Sequence, residues 1–324
     1  MKKIAITMGD PAGIGPEIVV RALYDPGVRA TCMPVIIAAR EILDEAFKLT
    51  GHSFKTNVIT SPEMCDPSPG VANVIEIGAI GDIIKARASA EGGSASAACI
   101  RKAVELALNR QVDAIVTAPI SKEAFRAAGL KWPGHTEMLA ELTGTRDYAM
   151  MLAGGPLRVI LVTIHAAIRH VPSLITRQAV MNTIVLAKKA CDMMGMKSPR
   201  IAVAGLNPHA GESGLFGTEE TTAISPAVEE ARKQGLPVTG PYPPDTIFHK
   251  AYRGEVDMVV CMYHDQGLIP LKMISFDSGV NVTIGLPLIR TSPDHGTAYD
   301  IAWKGIARPT SMIEAIKLAA RLEI

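Results

Sequence analysis

The chain has 324 residues, a formal net charge of +1, and 48% hydrophobic but only 4% aromatic residues. That length accommodates two ordinary domains, and the aliphatic, glycine-rich composition suits an α/β core. The near-neutral charge and the lack of any Lys/Arg run argue against nucleic acid as a partner.

No segment approaches the ~18 apolar residues of a membrane span, so no membrane association is expected. The apolar run after Lys3 is too short for a signal peptide. Cys32, Cys65, Cys99, Cys191 and Cys261 are odd in number and form no CxxC. They read as reduced core residues, and a cytoplasmic protein is expected.

Lys3–Met8 reads as a strand, and GDPAGIGPE turns into a helix near Pro16, a residue favoured in a first turn. Gly13 and Gly15 begin a dinucleotide-type fingerprint, but Ile18 stands where the third glycine belongs. A tight turn and a ligand-contacting loop both fit. Met33–Ala38 is a second strand, followed by a helix over Glu41–Leu49. Residues 60–96 read as loop with a weak strand near Val74–Ile77. Ser94 is placed to cap a helix over Ala95–Asn109. Asp113–Thr117 is the next strand; Ser121 caps the helix Lys122–Ala128, which Gly129 stops.

WPGHTEMLAELTG (132–144) is a loop entering a helix, with Thr136 as a possible N-cap. Arg158–Ile164 is a strand that delivers His165, and Thr176 caps a long helix reaching Met194. Ile201–Gly205 is a strand whose following loop carries His209. A helix runs from Ser225 to Gln234, and YPPDT, with Asp245, forms a rigid connector. Val256–Met262 is a buried strand that ends in Tyr263, His264, Asp265 and Gln266; Gly267 and Pro270 then turn the chain toward Lys272. A loop runs through Asn281 to Arg290, and Ser311 with Glu314 forms a capping box for the last helix. The alternation predicts a parallel or mixed sheet layered between helices.

His165, His209 and His264 each follow an apolar strand, so a parallel sheet brings all three to one edge. Three neutral imidazoles suit a catalytic divalent metal that keeps positions open for substrate. His170 lies five residues after His165, which puts the two on different helix faces. His170, like His52 and His249, is assigned to surface or loop structure. His135, Thr136, Lys272, Asn281 and Arg290 suit an anionic substrate, since Arg grips phosphate or carboxylate bidentately and Lys supplies a point charge. Asp245 and Asp265 can each orient a ligand histidine, join a metal shell or act as base.

MGDPAGIGPE, TAPISK, GHTE, GLNPHAGE, GTEE, PPDT, MYHDQGL, GVN and GLPLIRTSPDHGTA together resemble the PdxA family, NAD-dependent 4-hydroxythreonine-4-phosphate dehydrogenases and close relatives. The resemblance spans nearly the whole chain. It implies that His165, His209 and His264 bind one divalent cation (Zn, Mg, Co or Mn). It implies that His135, Thr136, Lys272, Asn281 and Arg290 bind a small phosphorylated acid, and that NAD is the cofactor.

The implied fold is α/β and isocitrate/isopropylmalate dehydrogenase-like: two α/β/α domains, a mixed sheet and the active site in the interdomain cleft. The domains are expected at about residues 1–125 with 285–324, and 126–284, the second carrying the metal histidines and the dimer interface. A homodimer with a shared active site is implied. Lys272, Asp245 and Asp265 remain alternatives for the catalytic base. Met8 and Asp10 replace the Pro and Glu of biosynthetic members, which makes the chain more similar to the D-threonate or D-erythronate 4-phosphate dehydrogenase branch.

Overall fold

The structure, a computed structural model, describes residues 1–324. In chain order the elements begin with β1 (Lys2–Thr7), α1 (Gly15–Leu23), α2 (Pro26–Thr31), β2 (Cys32–Ala38), α3 (Arg40–Thr50), β3 (Lys55–Val58) and β4 (Val71–Glu76). They continue with α4 (Ala90–Leu108), β5 (Ala114–Thr117), α5 (Lys122–Ala127), α6 (His135–Leu142), β6 (Ala149–Gly154), β7 (Leu157–Leu161) and α7 (Val171–Leu174). Then come α8 (Arg177–Met193), β8 (Ile201–Ala204), α9 (Ser225–Lys233), β9 (Val238–Tyr242), α10 (Ile247–Tyr252) and β10 (Met258–Cys261). The last are α11 (His264–Ser275), β11 (Val280–Ile284), β12 (Ile289–Pro293) and α12 (Thr310–Arg321). No helix is long and apolar enough to cross a membrane.

Two compact units result: Met1–Arg146 with Leu286–Leu322, and Asp147–Gly285. In the first, the strands lie in the order β3-β4-β2-β1-β5-β12, every pair parallel. Helices α4 and α12 both pack on this sheet. In the second, the order is β11-β6-β7-β10-β8-β9. Here β11/β6 and β6/β7 are antiparallel, while β7, β10, β8 and β9 run parallel.

The second unit's core follows from strand periodicity. Leu157, Val159 and Leu161 of β7, Ala202 and Ala204 of β8, and Val259 and Cys261 of β10 alternate onto one face, where they meet Ile247, Leu268 and Leu271 of α10 and α11. The intervening Ile160, Val203 and Val260 are also fully buried. Such continuous apolar runs mark strands covered on both sides.

Capping explains several boundaries. Ser121 Oγ accepts the Ala124 N–H (3.1 Å) and Thr176 Oγ1 the Ala179 N–H (3.1 Å), as the sequence predicts. Elsewhere the structure differs. Helix α4 starts five residues before the expected Ala95 and is capped by Ser89, whose Oγ accepts the Gly92 N–H; the glycine pair that reads as loop lies inside it. Gly134, not Thr136, caps α6, and Pro309 precedes α12, so the capping box at Ser311 does not form. The stretch expected as a loop between Asn281 and Arg290 is largely β11 and β12.

The largest correction concerns Gly267 and Pro270, which lie inside α11 rather than in a turn. A Cβ on Gly267 would come 3.1 Å from Cys261 Sγ and 3.1 Å from a Leu161 methyl. The glycine therefore serves close packing of α11 on β7 and β10.

Candidate active site

Strands β7, β10 and β8 are neighbours and parallel, so their exits leave the same edge of the sheet. A buried hydrogen-bond chain ties those exits together. Met262 O accepts from Thr163 Oγ1 (2.8 Å) and from the Thr163 N–H (3.2 Å). The Met262 N–H donates to Gln266 Oε1 (2.6 Å), and Gln266 Nε2 donates to Gly205 O (2.7 Å). The backbone partners fix which way the Gln266 amide faces.

Two residues beyond Thr163 stands His165, two beyond Met262 stands His264, and four beyond Gly205 stands His209. His264 is the first residue of α11, and its Nδ1 lies 2.7 Å from Asp265 Oδ1. With Nδ1–H donating to Asp265, the ring keeps its lone pair on Nε2. The His165 and His264 rings have centroids 5.8 Å apart. Two imidazoles sharing an ion at ~2.1 Å per bond have centroids roughly 5–6 Å apart, so this pair fits a divalent cation. The His209 ring stands 6.2 Å from that of Phe216, and no three His, Cys, Asp or Glu side chains gather closely enough to hold a metal. The structure brings together two of the three expected ligands.

The other expected residues of this unit are spread over two elements and a turn. Lys272 lies half-buried on α11, and Asn281 on β11 has a buried Oδ1 with no partner. Asp245 is exposed just before α10.

In the first unit, Arg290 of β12 is 2% exposed, and its Nη2 and Nε donate to Thr117 Oγ1 of β5 at 2.7 and 3.2 Å. Burial lowers its pKa to about 9, opposed by Glu137, which leaves the guanidinium charged at neutral pH. His135 opens α6, with Thr136 buried beside it. Burial, and then the Arg290 charge, hold His135 well below the ordinary histidine range. Its Nε2 is shielded from solvent and has no hydrogen-bond partner. A buried polar atom left open in this way invites a ligand.

Sequence reasoning passed over two groups and read a third, Asp10, only as a mark of the family branch. Gln266 and Thr163 hide within motifs read for their histidines. Asp10, fully buried, accepts from the Ala12 N–H (2.9 Å) and the Tyr299 hydroxyl (2.7 Å), while burial raises its pKa. A Cβ on Gly15 would strike Met8 O, so this glycine lets the start of α1 lie close against the exit of β1.

Residues 30–319 match the family described as "Pyridoxal phosphate biosynthetic protein PdxA". The chain belongs to the PdxA family. This PdxA-family chain is 49% identical over 99% of its length to the 4-hydroxythreonine-4-phosphate dehydrogenase of Trichlorobacter lovleyi, covering 97% of that protein. It is 48% identical over 99% of its length to the D-threonate 4-phosphate dehydrogenase of Salmonella typhimurium, covering 99% of it.

Among solved structures, the 4-hydroxythreonine-4-phosphate dehydrogenase of Klebsiella pneumoniae superposes with a TM-score of 0.92 at 45% identity, covering 99% of this chain and 97% of that one. A β-decarboxylating dehydrogenase from Thermococcus kodakarensis shares the fold alone, with a TM-score of 0.51 at 16% identity over 97% of this chain and 81% of that one. The PdxA-family chain is therefore an oxidoreductase of the dehydrogenase type, on the α/β fold expected from its motifs.

The His135 environment generates a pH dependence. Its native pKa lies below the unfolded value of ~6.5, so the unfolded chain binds the extra proton as pH falls and stability drops. One such group contributes a slope of up to about 1.4 kcal/mol per pH unit below pH 6.5. His52, lowered by burial and then by Arg21, acts in the same direction. Urea unfolding at pH 7.5 and 5.5 is expected to show stability lost at the lower pH, with a smaller loss in His135→Gln.

Proposed function

We propose that this chain is an NAD-dependent dehydrogenase that oxidises and decarboxylates a four-carbon 4-phosphorylated hydroxy acid, D-threonate or D-erythronate 4-phosphate. The observation that carries the reading is the buried Arg290 guanidinium beside a neutral His135 with an open Nε2. A desolvated cation next to an unpartnered ring nitrogen is a built receptor for phosphate or carboxylate. Met8 and Asp10 favour the sugar-acid substrates. The second reading is 4-hydroxy-L-threonine 4-phosphate in vitamin B6 biosynthesis, the substrate named for relatives of equal similarity.

Arg290 holds an anionic end of the substrate, Asn281, with its open Oδ1, accepts a substrate hydroxyl, and Lys272 either supplies a second positive charge or, uncharged, serves as the base. Hydride leaves C3 for NAD, and the C3 hydroxyl proton passes to a base, Asp245 or Lys272. Asp265 is occupied in orienting His264, which leaves it the weaker base. The product is a β-keto acid. Its C1–C2 bond then breaks, carbon dioxide departs, and the electron pair moves into the C3 ketone before C2 is protonated. A divalent cation, which His165, His209 and His264 would hold, would supply Lewis-acid polarisation of the hydroxyl and the ketone.

The surface of α11 supports a homodimer. Ile269, Met273 and Phe276 recur at helical spacing and are 61, 84 and 78% exposed. Apolar stripes of this kind on soluble proteins mark interaction surfaces. A second copy of the chain is the occupant proposed here.

Absorbance at the NADH band with 4-phospho-D-threonate, 4-phospho-D-erythronate and 4-phosphohydroxy-L-threonine tests the reading. Faster turnover on the first two is expected; a preference for the third supports the B6 reading, and no NADH from any would leave a lyase. Arg290→Ala is expected to lower kcat/KM by about 30-fold or more, because a buried ion contact is worth ~2–5 kcal/mol. Met273→Asp with Phe276→Asp is expected to yield monomers by light scattering; an unchanged oligomer would place the interface elsewhere.

A further inference from the structure

The buried guanidinium of Arg290 is held from the sheet itself. On the parallel strands of the first unit, Arg290 of β12 lies in register with Ile115 of β5, and Thr7 of β1 with Thr117 of β5. Side chains in register on neighbouring strands share a face, as do residues two apart along one strand. Arg290, Thr117 and Thr7 therefore stand on one face, in a polar row that crosses three strands. Thr7 and Thr117 are both fully buried.

The two hydroxyls of this row are used differently. Thr117 Oγ1 accepts two N–H groups of Arg290, from Nη2 at 2.7 Å and from Nε at 3.2 Å. Nε and Nη2 form one edge of the planar guanidinium, so a single oxygen seated on that edge fixes the plane of the group. Thr7 Oγ1, on the neighbouring strand, has no hydrogen-bond partner. The seat of Thr117 is itself fixed, because the Ala118 N–H that follows it donates to Thr7 O at 3.3 Å and pins the end of β5 to β1.

The chemistry of position 117 selects a neutral acceptor. An alkyl side chain would leave two N–H groups of a buried cation without this oxygen, and buried donors are costly to leave unpaired. A carboxylate would form an ion pair with Arg290 and compete with an anionic ligand for the same charge. A hydroxyl satisfies the donors and adds no charge.

We propose that Thr117 is the positioning residue of Arg290: its hydroxyl, set by the end of β5, aims the guanidinium at the anionic end of the substrate without neutralising it. This rests on the reading that Arg290 takes that anion. In this role Thr117 acts through Arg290 rather than on the substrate.

The test compares the full-length wild type with Thr117→Val, Thr117→Ser, Thr7→Val and Arg290→Ala. Calorimetric titration without NAD gives Kd, using whichever of 4-phospho-D-erythronate and 4-phosphohydroxy-L-threonine binds the wild type more tightly. NADH absorbance gives kcat and KM, and urea unfolding gives stability. Thr117→Val is expected to bind about 10- to 100-fold more weakly, the range that follows from losing a hydrogen bond to a charged group. Its KM should rise in step while kcat changes little, because a contact made equally in the ground and transition states acts on KM alone. Thr117→Ser keeps the oxygen and should recover most of the wild-type affinity. Thr7→Val removes the partnerless hydroxyl from the same face and should leave Kd unchanged. Arg290→Ala should bind at least as weakly as Thr117→Val.

Unchanged Kd in Thr117→Val overturns the proposal even if stability falls, since the residue would then serve the fold alone. So does a Thr117→Ser as weak as Thr117→Val, which would trace the effect to shape rather than to the oxygen. An equal loss in Thr7→Val overturns it too, by tracing the effect to strand packing. If Thr117→Val does not fold, unchanged Kd in Thr117→Ala overturns it. Wild-type affinity in Arg290→Ala, or a wild type that binds neither ligand, overturns both this proposal and the reading that Arg290 takes the anion. A loss in Arg290→Ala with none in Thr117→Val overturns this proposal alone.

Discussion

A single buried carboxamide holds the second unit's strand exits in register. Gln266 reaches from the first turn of α11 to the Met262 N–H and to Gly205 O, and Thr163 closes the chain from the third strand. The ends of parallel strands leave polar backbone groups where the ladder stops, and each must find a partner when buried. One side chain satisfying a donor on β10's exit and an acceptor on β8's exit does this and also fixes the spacing between two histidine-bearing loops. The precision of His264 comes from a helix start, and that of His165 from a short extension of β7. His209 sits on the least regular backbone in the unit.

The first unit solves a different problem. Removing a guanidinium from water is costly unless its charge is answered. Within this unit Arg290 meets the neutral hydroxyl of Thr117, with Glu137 acting on it at longer range. His135 beside it is forced neutral rather than adding a second positive charge. The result is one buried positive charge rather than two that repel each other. The ring next to it presents an uncharged nitrogen, suited to hydrogen bonding without repulsion.

The legible parts of this chain are those where one physical signal dominates. Apolar runs ending in a histidine identified β7, β8 and β10, because a strand buried on both faces has no polar alternation to blur it. Ser121 and Thr176 were legible as caps for the same reason: an oxygen ahead of a helical face has one common use. The errors fall where a residue has two uses. Gly267 and Pro270 read as a turn, yet one provides room under α11 and the other is tolerated within the helix at the loss of a single ladder bond. Asn281 and Arg290 read as loop residues because glycine and proline separate two short strands. Thr117 was visible only as the end of a strand and a letter in a motif. Its partner is a guanidinium 173 residues away, and a pairing at that distance leaves no mark in a sequence.

The route of the chain also has a consequence for how it is made. Residues 147–285 form one uninterrupted unit, whereas the first unit lacks β12 and α12 until the last tenth of the chain has been synthesised. Until then β5 lacks its parallel neighbour β12, and the surface that α12 covers on β1 and β5 stays bare. On the ribosome the later-encoded unit is therefore the first that can be completed. The amino-terminal half waits with an open strand edge, the kind of surface that promotes aggregation and calls for chaperones.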